Sequence, residues 1–182
     1  ITEVKFSDIS WKSDSSGVFY NKYPKPLPEN RLSQQSYDAA IYFTDISTGK
    51  EELFYGEVNP EQNYTVSFIG EDKNILIKVV TGSEEENFYL YGESIQTLVT
   101  ITPINKASFN YVHADSEGLF FITNLEADNY RLVKVSFSDF QMTEIVAEQD
   151  FALKGASFVK DYLITDYIDH ADMSSEIKFF DH

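Results

Sequence analysis

Two histidine–aspartate pairs share one spacing: His113-Ala114-Asp115 and His170-Ala171-Asp172. On a strand, residues two apart point to the same face, so either pair could begin a metal site. A site of that kind needs a third ligand and an open position. Asp115 is better read as a turn residue and Asp172 as part of a polar connection, so no metal is assigned. Glu51-Glu52, or Asp169 with Asp172, could in principle serve as the two carboxylates of a glycosidase. With thirty acidic residues in the chain, such adjacency is expected by chance. The nearest approach to a nucleophile elbow, Gly92-Glu93-Ser94-Ile95-Gln96, lacks the closing glycine. No Gly-x-Gly-x-x-Gly, Walker or EF-hand spacing occurs. The chain has no cysteine, which removes thiolate nucleophiles and ligands as well as disulfides. The residues therefore assign no catalytic group and no cofactor. Trp11, the one tryptophan, reads as a packing anchor rather than a ligand platform.

The elements that would have to position such residues follow a repeat. Asp14-Ser15-Ser16-Gly17 leads into Val18-Phe19-Tyr20, and Asp115-Ser116-Glu117-Gly118 leads into Leu119-Phe120-Phe121. Weaker copies are Glu71-Asp72-Lys73-Asn74 before Ile75-Leu76-Ile77, and Val159-Lys160-Asp161 before Tyr162-Leu163-Ile164. From Gly17 to Asn74, Gly118 and Asp161 the steps are about 57, 44 and 43 residues, in the range of propeller blades and other stacked arrays. One such unit cannot bury its apolar face alone. In the turns, an aspartate side chain can bond the backbone two residues on, and Gly17 and Gly118 are expected to accept positive φ.

Short strands follow each turn. The first unit predicts strands at 9–11, 18–23, 39–46 and 52–55. Pro24-Lys25-Pro26-Leu27-Pro28 forms an inserted surface loop, because proline cannot join a ladder. The second unit predicts 65–69, 75–80, 88–91 and 97–101, with Gly82-Ser83-Glu84-Glu85-Glu86-Asn87 as an exposed hairpin tip. The third predicts 109–112, 119–123, 130–135 and 143–147. The fourth predicts 156–159, 162–167 and 176–180, one strand short. Four short antiparallel strands per unit is the make-up of a propeller blade. The expected fold is all-β: about four consecutive four-stranded blades at 9–57, 64–103, 107–150 and 151–182, in one uninterrupted array over 1–182.

Composition agrees. Hydrophobic residues are 42% and aromatics 15% of the chain, dominated by phenylalanine and tyrosine, which favours pleated sheets. A formal net charge of −16 repels nucleic-acid phosphates and anionic lipid, so neither is an expected partner. No apolar run is long enough to span a bilayer as a helix. Ile1-Thr2-Glu3-Val4-Lys5-Phe6 has neither the basic flank nor the apolar stretch of a signal peptide. The missing initiating methionine points to a processed chain or an excised piece. Cysteine-free composition fits the cytoplasm without excluding the periplasm.

Two stretches carry a family resemblance. Residues Val4 to Pro24, with the pattern W-x-x-D-x-x-G-x-F-Y ahead of a tyrosine and a proline-rich insertion, resemble one blade of the prolyl oligopeptidase propeller. Ala114 to Asn124, continuing from Ala127 to Phe137 with T-N-x-x-A-x-x-Y-R-L, is similar to the following blades. The resemblance implies a parent serine peptidase that cleaves short peptides after proline. Its α/β-hydrolase domain would carry a Ser-Asp-His triad, and a seven-bladed propeller would cap it. It implies that this chain is part of that propeller, an incomplete ring with no triad residue of its own. Phe6 falls where relatives place a phenylalanine lining the substrate cavity, and Tyr64 aligns with another lining position. A substrate-binding arginine of relatives would align near Thr81, where this chain has none.

The resulting expectation is a non-catalytic propeller piece that filters access to a hydrolase domain lying outside this chain, inactive alone. Its partners are that hydrolase domain and, in the intact enzyme, short proline-containing peptides. The alternative is a self-contained four-bladed propeller acting as a protein-binding module, with Ile1 to Phe6 supplying the strand that the fourth unit lacks. An open arc would also expose unpaired strand edges and invite self-association.

Overall fold

The computed structural model describes residues 9–12, 14–23, 40–56, 62–69, 74–81, 85–92, 98–103 and 107–181. They form fifteen strands in four antiparallel sheets, and no helix is found among them. Contacts divide the chain into two compact units, Ile1–Thr102 and Pro103–His182. Each unit holds two of the four sheets.

In the first unit, β1 (Ile9–Trp11), β2 (Gly17–Lys22), β3 (Ala40–Asp45) and β4 (Glu51–Tyr55) form one sheet in chain order. A second sheet follows as β5 (Gln62–Ile69), β6 (Asn74–Thr81), β7 (Glu85–Gly92) and β8 (Leu98–Thr100). Alternation decides which side chains meet. Phe19 lies opposite Phe43, and Asn21 opposite Ile41, so these share a face. That face packs with Ile75, Ile77 and Val79 of β6 into one buried cluster, flanked by Phe54, Tyr55 and Tyr89. Phe19 meets Phe54 edge-on, with ring centres 4.9 Å apart, a favoured aromatic geometry. The expected hairpin tip at 82–87 is only partly a tip. Glu85 to Asn87 belong to β7, and Asn87 is buried opposite Val79, on the face that carries the core. Residues 82–84 lie outside the described residues, as does Ile1 to Phe6, the proposed closing strand.

The second unit has β9 (Phe109–Ala114), β10 (Gly118–Thr123), β11 (Arg131–Ser136) and β12 (Met142–Val146) in a third sheet. The fourth sheet is β13 (Ala152–Val159), β14 (Tyr162–Ile168) and β15 (Ser175–Asp181), three strands among the described residues. Every residue of β10 is buried, which explains why Leu119-Phe120-Phe121-Ile122 reads as an unbroken apolar run. Phe120, Ile122 and Leu132 pack with Leu153, Leu163 and Tyr167, joining the third sheet to the fourth. β13 begins at Ala152, four residues before the sequence pattern indicates. The shift in register between Leu153 and Gly155 breaks the alternation there.

The turns explain two residues differently from the sequence reading. Asp14 Oδ1 accepts from the Ser16 amide at 2.8 Å, and Asp115 Oδ1 accepts from Glu117 and Gly118 at 2.8 Å each, as the repeat implied. The glycines, however, do not have positive φ; in the first turn Ser15 takes it, at 59°. Gly17 and Gly118 are required by close approach. A Cβ on Gly17 would lie 2.6 Å from the Thr44 carbonyl oxygen, and one on Gly118 only 2.3 Å from that of Val135. Trp11 also departs from expectation. It stands 58% exposed opposite Val18 on the edge strand β1, so it is not a buried anchor among the described residues.

A second recurring turn escapes the sequence pattern. The six-residue stretches 45–50, 136–141 and 169–174 close hairpins with the same two backbone bonds. Gly49, Phe140 and Met173 donate to the carbonyls of Asp45, Ser136 and Asp169, and those three residues donate to Lys50, Gln141 and Ser174. The fifth residue has positive φ each time: 67° at Gly49, 57° at Phe140 and 63° at Met173. Only the first has the residue type that this conformation favours. Met173 is 67% exposed, so its side chain contributes little packing. Met173→Gly is expected to raise stability by about 0.5–1 kcal/mol in urea denaturation. A loss of stability would show that the methionine is held by something other than its turn.

Candidate functional site

Among the described residues, two polar clusters with buried or half-buried members stand out. The first lies on β2, β3 and β4. The buried Tyr20 hydroxyl hydrogen-bonds to Thr44 Oγ1 at 2.9 Å and donates to the Glu51 carboxylate, which also ion-pairs with Lys22. Lys22 Nζ sits 5.1 Å from the centre of the Tyr42 ring. Burial first, and the bond to Glu51 next, push the Tyr20 hydroxyl up to about 12. Lys22 and Tyr20 hold the Glu51 carboxyl below its ordinary range. The phenol therefore stays protonated and the carboxylate ionised at neutral pH, with no proton poised for transfer.

The second cluster lies at the β9–β10 turn. Lys134 Nζ ion-pairs with Asp115 at 2.8 Å and Glu117 at 2.9 Å, and sits 5.2 Å from the centre of the Phe120 ring. Burial would raise the Asp115 carboxyl, but Lys134 and the amides of Glu117 and Gly118 outweigh it and hold that carboxyl low. Burial likewise opposes the Lys134 charge, and its two carboxylate partners more than restore it. An open cleft of about 640 Å³ adjoins the cluster, lined among others by Lys134, Ser136, Ser138 and Thr143. The Ser136 and Ser138 hydroxyls bond each other at 2.8 Å. A lysine held between two acids is neither a free nucleophile nor an open anion site. The cleft offers hydroxyls for hydrogen bonding beside the apolar Phe137 and Ile145.

The sequence candidates disperse around these clusters. β9 ends at Ala114, so Asp115 belongs to the turn and is committed there. The His113 ring stacks on Phe158, with ring centres 4.8 Å apart. His170 lies in the 169–174 turn, where Asp169 and Asp172 accept from the amides of Ala171 and Ser174. Among the described residues no three His, Cys, Asp or Glu side chains converge as a metal site would require. Glu51 belongs to the Tyr20 network, while Glu52 makes a surface contact with Lys50 at 3.6 Å. Tyr64 lies on β5 opposite Val79, and Thr81 ends β6 opposite Gln62 and Glu85. Phe6 and residues 93–97 lie outside the described residues.

The network of Tyr20, Lys22 and Glu51 was not foreseen. The local signal is that Tyr20 and Lys22 are two apart on one strand. Glu51 joins them only through the pairing of β2, β3 and β4, which no local pattern records.

Against this geometry, the family model described as "Prolyl oligopeptidase, N-terminal beta-propeller domain" matches residues 1–182. A prolyl endopeptidase of Elizabethkingia meningoseptica is 28% identical over 144 residues, covering 76% of this chain and 20% of that protein. A prolyl oligopeptidase of Omphalotus olearius is 23% identical over 192 residues, covering 98% of this chain and 26% of that protein. Among solved structures, prolyl oligopeptidase B from Galerina marginata, bound to a 35mer hydrolysis and macrocyclization substrate, superposes with a TM-score of 0.82. Identity there is 19%, with 98% of this chain and 26% of that chain covered, so the likeness is one of fold. The chain thus spans a fifth to a quarter of the length of these curated relatives.

Proposed function

The chain belongs to the prolyl oligopeptidase family as part of its N-terminal β-propeller domain, and from that premise we propose that it is a non-catalytic wall gating a peptidase site built elsewhere. The parent would be a serine endopeptidase that cleaves short peptides after proline on a hydrolase domain outside this sequence. Stacked blades restrict the width of what can pass, and closing over a site excludes water and commits the substrate. The observation that carries this reading is the match of all 182 residues to the propeller domain. The two polar clusters support it, since their acids and bases are spent on each other rather than aimed at a ligand.

Phe6 and Tyr64 would line the substrate cavity in the intact enzyme. With no arginine at Thr81, binding there would rely on apolar contact rather than on a charged clamp.

The test is direct. Incubated with a chromogenic proline-containing peptide, this chain should show no turnover above buffer. Joined to a parent hydrolase domain, it should permit cleavage of short peptides and suppress that of long ones by at least about tenfold, or 1.4 kcal/mol. Turnover by the chain alone, blocked by a serine-directed inhibitor, would overturn the reading. So would equal cleavage of long and short peptides by the joined protein.

A further inference from the structure

The stretch T-N-x-x-A-x-x-Y-R-L, from Thr123 to Leu132, takes part in neither polar cluster. Its middle, residues 124–130, connects β10 to β11. Thr123 Oγ1 accepts from the Leu125 amide at 3.1 Å. The Ala127 amide donates to the Asn124 carbonyl at 3.2 Å, and the Tyr130 amide to the Ala127 carbonyl at 3.0 Å. Ala127 is buried, while Glu126 and Tyr130 have φ of 54° and 65°, a conformation that non-glycine residues rarely adopt. A backbone held that way at two positions persists only where its surroundings fix it.

The fixing bonds reach out of the hairpin in two directions. Asn124 Oδ1 accepts from the amide of Ser108, just ahead of β9, at 2.7 Å. Asn129 makes four bonds to residues 148–153, where the chain passes from the third sheet to the fourth. Its amide donates to Glu148 Oε1 at 2.5 Å, and its Nδ2 to the carbonyls of Gln149 and Asp150 at 3.1 and 3.2 Å. Its carbonyl accepts from the Leu153 amide at 2.8 Å. Leu153 belongs to β13, whose one partner strand among the described residues is β14, and its side chain lies in the cluster that joins the two sheets. Two carbonyls facing one nitrogen call for a primary amide, since aspartate has no donor to offer them.

We propose that residues 124–130 are a strap with two independent catches. Asn124 fastens the chain entering the third sheet. Asn129 fastens the chain leaving it, together with the start of β13, so the fourth sheet comes away from the third only after that catch lets go. Hydrogen exchange of single amides in the whole chain reads each catch separately. In Asn129→Ala the Leu153 amide should exchange at least about tenfold faster, and the Ser108 amide within about twofold of its original rate. Asn124→Ala should do the reverse. Glu148→Ala, at an exposed position, removes one of the four bonds and should speed Leu153 by about threefold, again without Ser108. That milder variant carries the test should an asparagine variant fail to fold. An unchanged Leu153 amide in Asn129→Ala or Glu148→Ala would overturn the proposal. Release of Ser108 and Leu153 together by any of the three would do the same, because the loop would then be one rigid turn.

Discussion

Gly118→Ala should destabilise the chain by about 3 kcal/mol, at the upper end of what overpacking costs. The added Cβ would sit 2.3 Å from the Val135 carbonyl oxygen and 3.0 Å from its carbon. Both are backbone atoms of β11, the neighbouring strand, and they cannot retreat without disturbing the ladder that pairs Gly118 with Ser136 and Leu119 with Val135. The same turn carries Asp115 and, through it, Lys134, so a shift there would also loosen the polar cluster. Gly155 supplies the control. It lies at a bulge, its φ is not positive, and its nearest neighbour would be the Asp166 Cβ at 3.8 Å, an ordinary contact. Gly155→Ala should be neutral or slightly stabilising, because alanine restricts the unfolded chain without straining the folded one. Urea midpoints and slopes for the two variants decide the matter. If Gly118→Ala stays within about 0.5 kcal/mol of the parent chain, close approach is not why the turn has glycine.

That contrast marks how far the sequence could be read. The repeats of turn and strand were legible because a polar turn and an abrupt apolar run are local signals, and strands of all four sheets fall where those runs lie, though the turn at 71–73 lies outside the described residues. The reason for the glycines was not legible. Positive φ and close approach favour the same residue type, and only the position of Val135 on the next strand separates them. The turn at 136–141 was hidden for the opposite reason. It has the geometry of the glycine-bearing turn at 45–50, yet Phe140 occupies the position where Gly49 advertises it. Trp11 was misjudged because burial depends on what covers a strand's face, which one strand's residues do not state. At the candidate site the local signal was enough: the repeat reads Asp115 as a turn residue, and β9 does end before it, with the turn claiming the aspartate.

Phe120→Ala should cost about 3–5 kcal/mol of stability. The ring is buried and meets Phe158 with centres 4.6 Å apart, so it reaches from the third sheet to the fourth. It also lies under the Lys134 ammonium, whose attraction to the ring face would be lost. Its neighbour Phe121 is equally buried but points to the opposite face, where it meets Phe109 and Tyr111 edge-on at about 6 Å. The two variants should therefore lose comparable stability and differ in where they lose it. Removing Phe120 opens a cavity among Leu153, Leu163 and Tyr167, so hydrogen exchange should quicken first in β13 to β15. Removing Phe121 should leave those amides protected until the sheet that carries it opens. If Phe121→Ala instead releases β13 to β15 as readily as Phe120→Ala, the fourth sheet is not held by the face on which Phe120 lies. Its attachment would then depend on the backbone pairing and turns around it rather than on this aromatic contact.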